Sequence, residues 1–136
     1  MLKSKLLSFA AVAAGILALP FASQAQTKIY IDPGHGGSDP GAVNSTFGTE
    51  EADRVLYTGL EFRDFLDADT ADTSGGGSWN VRMSRSTDTF VSLSGRSIDA
   101  NNWGAARFLS IHQNAFNSSA NGTETFSFQN GTTSAN

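Results

Sequence analysis

The sequence predicts an α/β fold, a mixed, mostly parallel sheet flanked by helices. Two observations carry this. Short β-branched and aromatic runs alternate along the chain with longer amphipathic segments, the pattern of a sheet built by crossover connections. The first such run then breaks into ten residues, Asp32 to Gly41, that hold four glycines and two prolines. A tight irregular loop at that place is what the carboxyl end of a parallel strand carries when the sheet edge does chemistry. A length of 136 residues allows one domain at most.

The first 25 residues stand apart from that domain. Lys3 and Lys5 precede an apolar run from Leu6 to Ala22, and the small residues Ser23 and Ala25 sit three and one positions before a cut at Gln26. This is the pattern of a secretory signal peptide, short for a membrane span. Residues 26–136 are then the folded portion, without a membrane anchor, and the expected location is the periplasm or the extracellular cell wall. Loss of the two lysines makes a chain of net charge −4 two units more negative. Such a chain repels phosphates, which excludes nucleic acid as a partner. The sequence reads as a monomer. It contains no cysteine. Any metal site must therefore come from His, Asp and Glu, and thiolate-rich structural zinc sites are excluded.

Taken in order, Lys28 to Asp32 reads as a buried strand ending at the glycine loop. A helix is expected from near Glu50, with Thr49 as its N-cap and Glu50, Glu51 and Asp53 favoured by the helix dipole. Val55, Phe62 and Leu66 follow Glu51 along one apolar face. Glu50 shares the opposite face with Asp53, Arg54, Tyr57, Glu61 and Asp64. Glu51 is therefore expected to point inward and Glu50 towards water. Asp67 to Ser78 reads as a solvated loop rather than a calcium site, because its aspartates match no calcium-loop spacing. Trp79 to Ser84 is a second strand, and Leu93 to Gly104 a second helix capped by Ser92. Arg107 to His112 is a third strand, Ala115 to Gly122 a polar connection, and Thr123 to Phe128 a fourth strand. Trp79 and Trp103 read as core residues.

The chain has two histidines. Taken singly, His35 reads as a surface residue after a turn and His112 as a satisfied core residue. Both, however, close predicted parallel strands, and Glu51 opens the helix after the first strand. Three ligands 16 and 61 positions apart must be gathered by the fold, unlike the short local motifs of structural sites. Two His and one Glu leave a fourth tetrahedral position open to water, the arrangement of a hydrolytic zinc ion. The glycines beside His35 are expected to leave room for substrate. A phosphate-binding loop fits poorly, since no Gly-Lys-Ser/Thr follows these glycines.

These residues carry a resemblance. Asp32-Pro33-Gly34-His35-Gly36-Gly37, with Asp39 and Gly41-Ala42, resembles the opening signature of the zinc-dependent N-acetylmuramoyl-L-alanine amidases, the amidase_3 family. Gly48-Thr49-Glu50-Glu51 with Leu56 resembles that family's Gly-x-x-Glu motif. Met83-Ser84-Arg85, Asp88, Leu93, Arg96 and Ala100-Asn101 follow its next block, Ser110 to Asn114 its second His motif, and Gly122-Thr123-Glu124 the strand after that. Five ordered blocks span Lys28 to Phe128. The resemblance implies Zn2+ held by His35, Glu51 and His112. It implies peptidoglycan as substrate, cut at the amide between N-acetylmuramic acid and L-alanine.

The resemblance also implies a catalytic glutamate in a Val-Glu-x-Gly-Phe-like segment near the C-terminus, which these 136 residues do not include. On that reading the chain is the N-terminal portion of an amidase catalytic domain, incomplete at its C-terminus. The alternative is a non-catalytic module that binds zinc or peptidoglycan. Glu124, the sole acid after His112, reads as structural or as lining the cleft and stands as a secondary candidate for the base. Arg85 and Arg96 are expected to scaffold the site by pairing with Asp88 or Asp99. Asn114 is expected to orient the His112 segment through its amide.

Overall fold

A computed structural model describes residues 25–114 together with the backbone of two later strands, 126–129 and 132–135. The elements run β1 (Thr27–Pro33), β2 (Val43–Asn44), β3 (Thr49–Glu50), α1 (Glu51–Ala71), β4 (Trp79–Met83), α2 (Leu93–Trp103), β5 (Arg107–Ile111), β6 (Phe126–Gln129) and β7 (Thr132–Ala135). The expected secretion signal and Glu124 lie outside the described residues, apart from Ala25. Among the described residues no helix is long and apolar enough to cross a membrane.

The main sheet has the order β4-β1-β5, parallel throughout. The chain leaves β1, builds β4 on one side, then returns to build β5 on the other. The carboxyl end of β1 is thus the switch point where an open α/β sheet forms its crevice. Side chains of a strand alternate between faces, and β1 shows what each face meets. Lys28, Tyr30 and Asp32 engage α2 or the segment just beyond it: the Lys28 ammonium donates to the Trp103 carbonyl, the Tyr30 hydroxyl to Asp99, and Arg96 to Asp32. Ile31 and Pro33 face α1, where Gly59 lies so close to Pro33 that a Cβ would stand 2.8 Å from its ring. The two helices therefore cover opposite faces. Tyr30, Ile31, Val55 and Ala100 are buried between these layers.

Several expectations hold. Ser92 caps α2, its hydroxyl accepting from the Gly95 N–H at 3.1 Å, and Gly104 ends that helix in the left-handed conformation. Such a cap contributes about 1 kcal/mol. In α1, Glu51 and Val55 are buried while Glu50, Asp53, Arg54, Tyr57, Glu61 and Asp64 are exposed.

Others are corrected. The N-cap of α1 is Glu50, not Thr49, and no side chain caps it. The β2–β3 pair folds the chain back, so the Glu51 and Ala52 N–H groups donate instead to the carbonyls of Ala42 and Pro40. The helix also runs to Ala71, four residues into the expected loop. Its last turn is secured there by Asp69, which accepts from the Trp79 indole and the Gly77 N–H, and by Thr70, whose hydroxyl donates to the Leu66 carbonyl. Asp72 accepts from the Ser74 N–H and hydroxyl, a local turn as expected of a solvated loop. The fourth strand does not join the main sheet: β6 pairs with β7, inside the tail expected to lack structure, as an antiparallel hairpin.

Candidate metal centre

His35 follows β1 with a positive φ of 58°, a conformation sustained only when surroundings impose it. The surroundings are two buried arginines. Arg96 donates to the Pro33 carbonyl and the Asp32 carboxylate through Nη1, to the His35 carbonyl through Nη2, each at 2.7 Å, and to the Val91 carbonyl through Nε. Arg85 donates to the carbonyls of Pro33, Gly34 and Ala52. Every carbonyl from Pro33 to His35 is thereby satisfied by a guanidinium. Asp32 also accepts from the Ser110 hydroxyl at 2.9 Å. The ends of β1 and β5, which carry the two histidines, are thus tied through one carboxylate. The expected pairing of these arginines with Asp88 and Asp99 is corrected. Asp88 accepts from the Gly37 N–H, and Asp99 takes Tyr30 and Arg82. A flat guanidinium with five donors suits clustered carbonyls better than one exposed carboxylate. Burial, then the neighbouring Arg96, push the Arg85 guanidinium below its usual pKa.

Three donor atoms converge beyond this frame. His112 Nδ1 lies 3.2 Å from His35 Nε2 and 3.0 Å from Glu51 Oε1, and His35 Nε2 lies 3.2 Å from the same oxygen. Zinc held tetrahedrally at 2.0–2.1 Å requires ligand atoms about 3.3 Å apart. The triangle therefore matches one face of a zinc tetrahedron, and the donor set of two imidazoles and a carboxylate suits that ion. The group His35, Glu51 and His112 is also the His/Asp/Glu cluster able to hold a metal among the described residues.

Each ligand is held differently. His35 Nδ1 lies 3.0 Å from Asp39 Oδ2, so the Nδ1–H donates there and leaves the Nε2 lone pair facing the cluster. Asp39 is held below the usual carboxylate range by that bond first, then by the Gly41 N–H. Glu51 is 4% exposed. Its burial favours the neutral acid, but N–H donation from Ala42 and Gln113 and contact with His112 outweigh this and lower its pKa. His112 is held by shape: its ring occupies the space a Cβ at Gly34 would need. The room at that glycine is filled by a ligand rather than left for substrate. Gly41, at φ 64°, meets His35 and Glu51 just as closely. Asn114 is exposed, and the bond that fixes its segment is the Gln113 N–H to Glu51, which no side-chain pattern reveals. Asp39, four residues after His35, was visible in the sequence only as part of a motif.

A cleft of about 130 Å³ adjoins the triangle, lined by His35, His112 and Asp39 on one side and Phe90, Val91 and Leu93 on the other.

Comparison with known proteins agrees with this arrangement. Residues 29–136 match the Amidase_3 family, described as N-acetylmuramoyl-L-alanine amidase. The sporulation-specific N-acetylmuramoyl-L-alanine amidase of Bacillus subtilis strain 168 is 46% identical over 88 residues, 65% of this chain and 31% of that protein. The catalytic domain of CwlV, an N-acetylmuramoyl-L-alanine amidase of Bacillus (Paenibacillus) polymyxa var. colistinus, superposes with a TM-score of 0.62 at 33% identity, covering 71% of this chain and 50% of that one. An N-acetylmuramoyl-L-alanine amidase of Clostridium difficile 630 gives 0.61 at 33% identity, covering 74% and 50%. The chain spans about a third of that curated relative and half of each solved chain. On its sequence blocks, its parallel sheet and its match over residues 29–136, the chain belongs to the Amidase_3 family.

Proposed function

We propose that this chain supplies the zinc-binding part of an exported N-acetylmuramoyl-L-alanine amidase acting on peptidoglycan, with the metal held by His35, Glu51 and His112. The observation that carries the reading is the triangle of three donor atoms 3.0–3.2 Å apart at the mouth of a cleft. Zinc at such a site supplies Lewis-acid activation of a water and of an amide carbonyl.

The chain's own residues prepare the site for this. Asp39 keeps the His35 proton on Nδ1. The Ala42 and Gln113 N–H groups hold Glu51 ionised and in place. Arg85 and Arg96 hold the His35 loop without adding free charge to the cleft, because their donors are spent on carbonyls and on Asp32. Both candidates for the acid–base carboxylate, Glu124 and a glutamate beyond Asn136, lie outside the described residues.

Elemental analysis of the purified chain should find one zinc per molecule, lost in His35→Ala and in His112→Ala. Absence of zinc from folded protein would overturn the reading. Incubation with purified peptidoglycan separates the enzyme from the non-catalytic alternative. Release of stem peptide with a free L-alanine amine marks hydrolysis, and co-sedimentation without release marks a binding module.

A further inference from the structure

Phe90 and Leu93 present large apolar surfaces to solvent beside the metal centre. Phe90 is 53% exposed and Leu93 is 85% exposed. Burial of either in the protein core would be ordinary, and scattered exposed hydrophobics need no explanation. These two differ because they line the same cleft as His35 and His112. They are also held firmly. The Gly37 N–H donates to Asp88 at 2.6 Å, and Gly37 packs so tightly on Phe90 that a Cβ there would stand 2.6 Å from the Phe90 nitrogen. Arg96 grips the Val91 carbonyl, and Ser92 caps the helix that Leu93 opens. The ledge is thus braced against the loop that bears His35.

The charges around it narrow what it can hold. Asp39 lies in the cleft with an exposed carboxylate, and Asp88 stands beside the ledge. The cation among the described cleft residues, Arg96, is committed to Asp32 and to main-chain carbonyls. An acidic peptide would meet like charge here with no counter-ion. A neutral polyol would find apolar faces to lie on and a carboxylate to accept its hydroxyls, the mixed lining of a small-molecule site. We infer that Phe90 and Leu93 form the glycan-side subsite, taking the sugar ring of the muramoyl unit while the stem peptide leaves by another side of the metal. This rests on the amidase reading and adds the direction in which substrate lies.

The test uses the zinc-loaded 136-residue chain and two probes, peptide-free glycan strands and free stem peptide. Backbone NMR should show glycan shifting the amides of residues 88–93. Phe90→Ala and Leu93→Ala should weaken glycan binding about fivefold each, with Phe90→Tyr close to unchanged and zinc content unaltered in all three. Equal glycan affinity in Phe90→Ala, no glycan binding by the unaltered chain, or stem peptide shifting residues 88–93 would each overturn the subsite. The failures are separable: zinc content and stem-peptide release report on the amidase reading, whereas glycan affinity at unchanged zinc content reports on the ledge.

Discussion

The two halves of the metal centre are built by different means. The His35 half is held by directed bonds: its ring is fixed by Asp39, its main chain by two buried arginines, and 22% of its side chain is exposed. The His112 half is held by shape, with the ring laid on Gly34, one main-chain bond from Gln113 to Glu51, and 48% of its side chain exposed. The first half sits on the central strand β1, paired on both sides, and the second on β5, paired on one side within the main sheet. A strand with two neighbours and two covering helices can support a buried charged network. A strand with one neighbour cannot exclude water well enough to make such a network necessary. The comparison suggests that one ligand is preorganised and the other closes onto the metal.

Variants can break or sharpen this contrast. The largest effect is expected from Arg96→Met, which leaves Asp32 buried without its cation. Denaturant unfolding should show a loss of about 3–5 kcal/mol, and a loss below 1 kcal/mol would mean the frame of the first half is redundant. Asp39→Ala should leave the fold intact and weaken zinc binding about 10–100-fold, measured by competition with a chromogenic chelator. Gly34→Ala should do the converse of Arg96→Met. It displaces the His112 ring and so abolishes zinc binding, while the stability of the zinc-free chain moves by no more than about 1 kcal/mol. If unfolding shows a larger loss, His112 is as much a part of the frame as His35.

Acid titration of the zinc-free chain gives a smaller effect. Glu51 has a folded pKa below its ordinary value of 4.5. Its contribution is therefore present above that value and is lost as pH falls through the lower folded one. Glu51→Gln should flatten the fall in stability on the acid side of pH 4.5, and an unchanged profile would show that the carboxylate is not held as the geometry indicates. Glu50→Gln, one residue away on the exposed face, should change neither zinc content nor stability beyond about 0.5 kcal/mol.

That pair of adjacent glutamates shows how much the sequence held. Helical phase alone separates them, because Glu51 shares a face with Val55 and Leu66, and the structure buries Glu51 and exposes Glu50. Strand and helix positions followed equally from periodicity, and Ser92 from capping chemistry. Thr49 was misread as a cap because the β2–β3 fold-back offers main-chain carbonyls that no local pattern announces. Asp88 and Asp99 were misread as the arginines' partners for a related reason. They are near Arg85 and Arg96 in sequence, whereas Asp32 and the carbonyls of Pro33 to His35 are near only in space.

By itself, then, the sequence determined the alternation of strands and helices, the identity of the three ligand candidates and which glutamate turns inward, since all of these follow from local periodicity and side-chain chemistry. The tertiary structure alone decided that Arg96 and Asp32 join the two strand ends, that Gly34 makes room for His112, and that Phe90 and Leu93 face the same cleft as the histidines. Those facts depend on distances between segments that the chain brings together only when the sheet assembles, and on main-chain donors and acceptors that every residue carries and no sequence distinguishes.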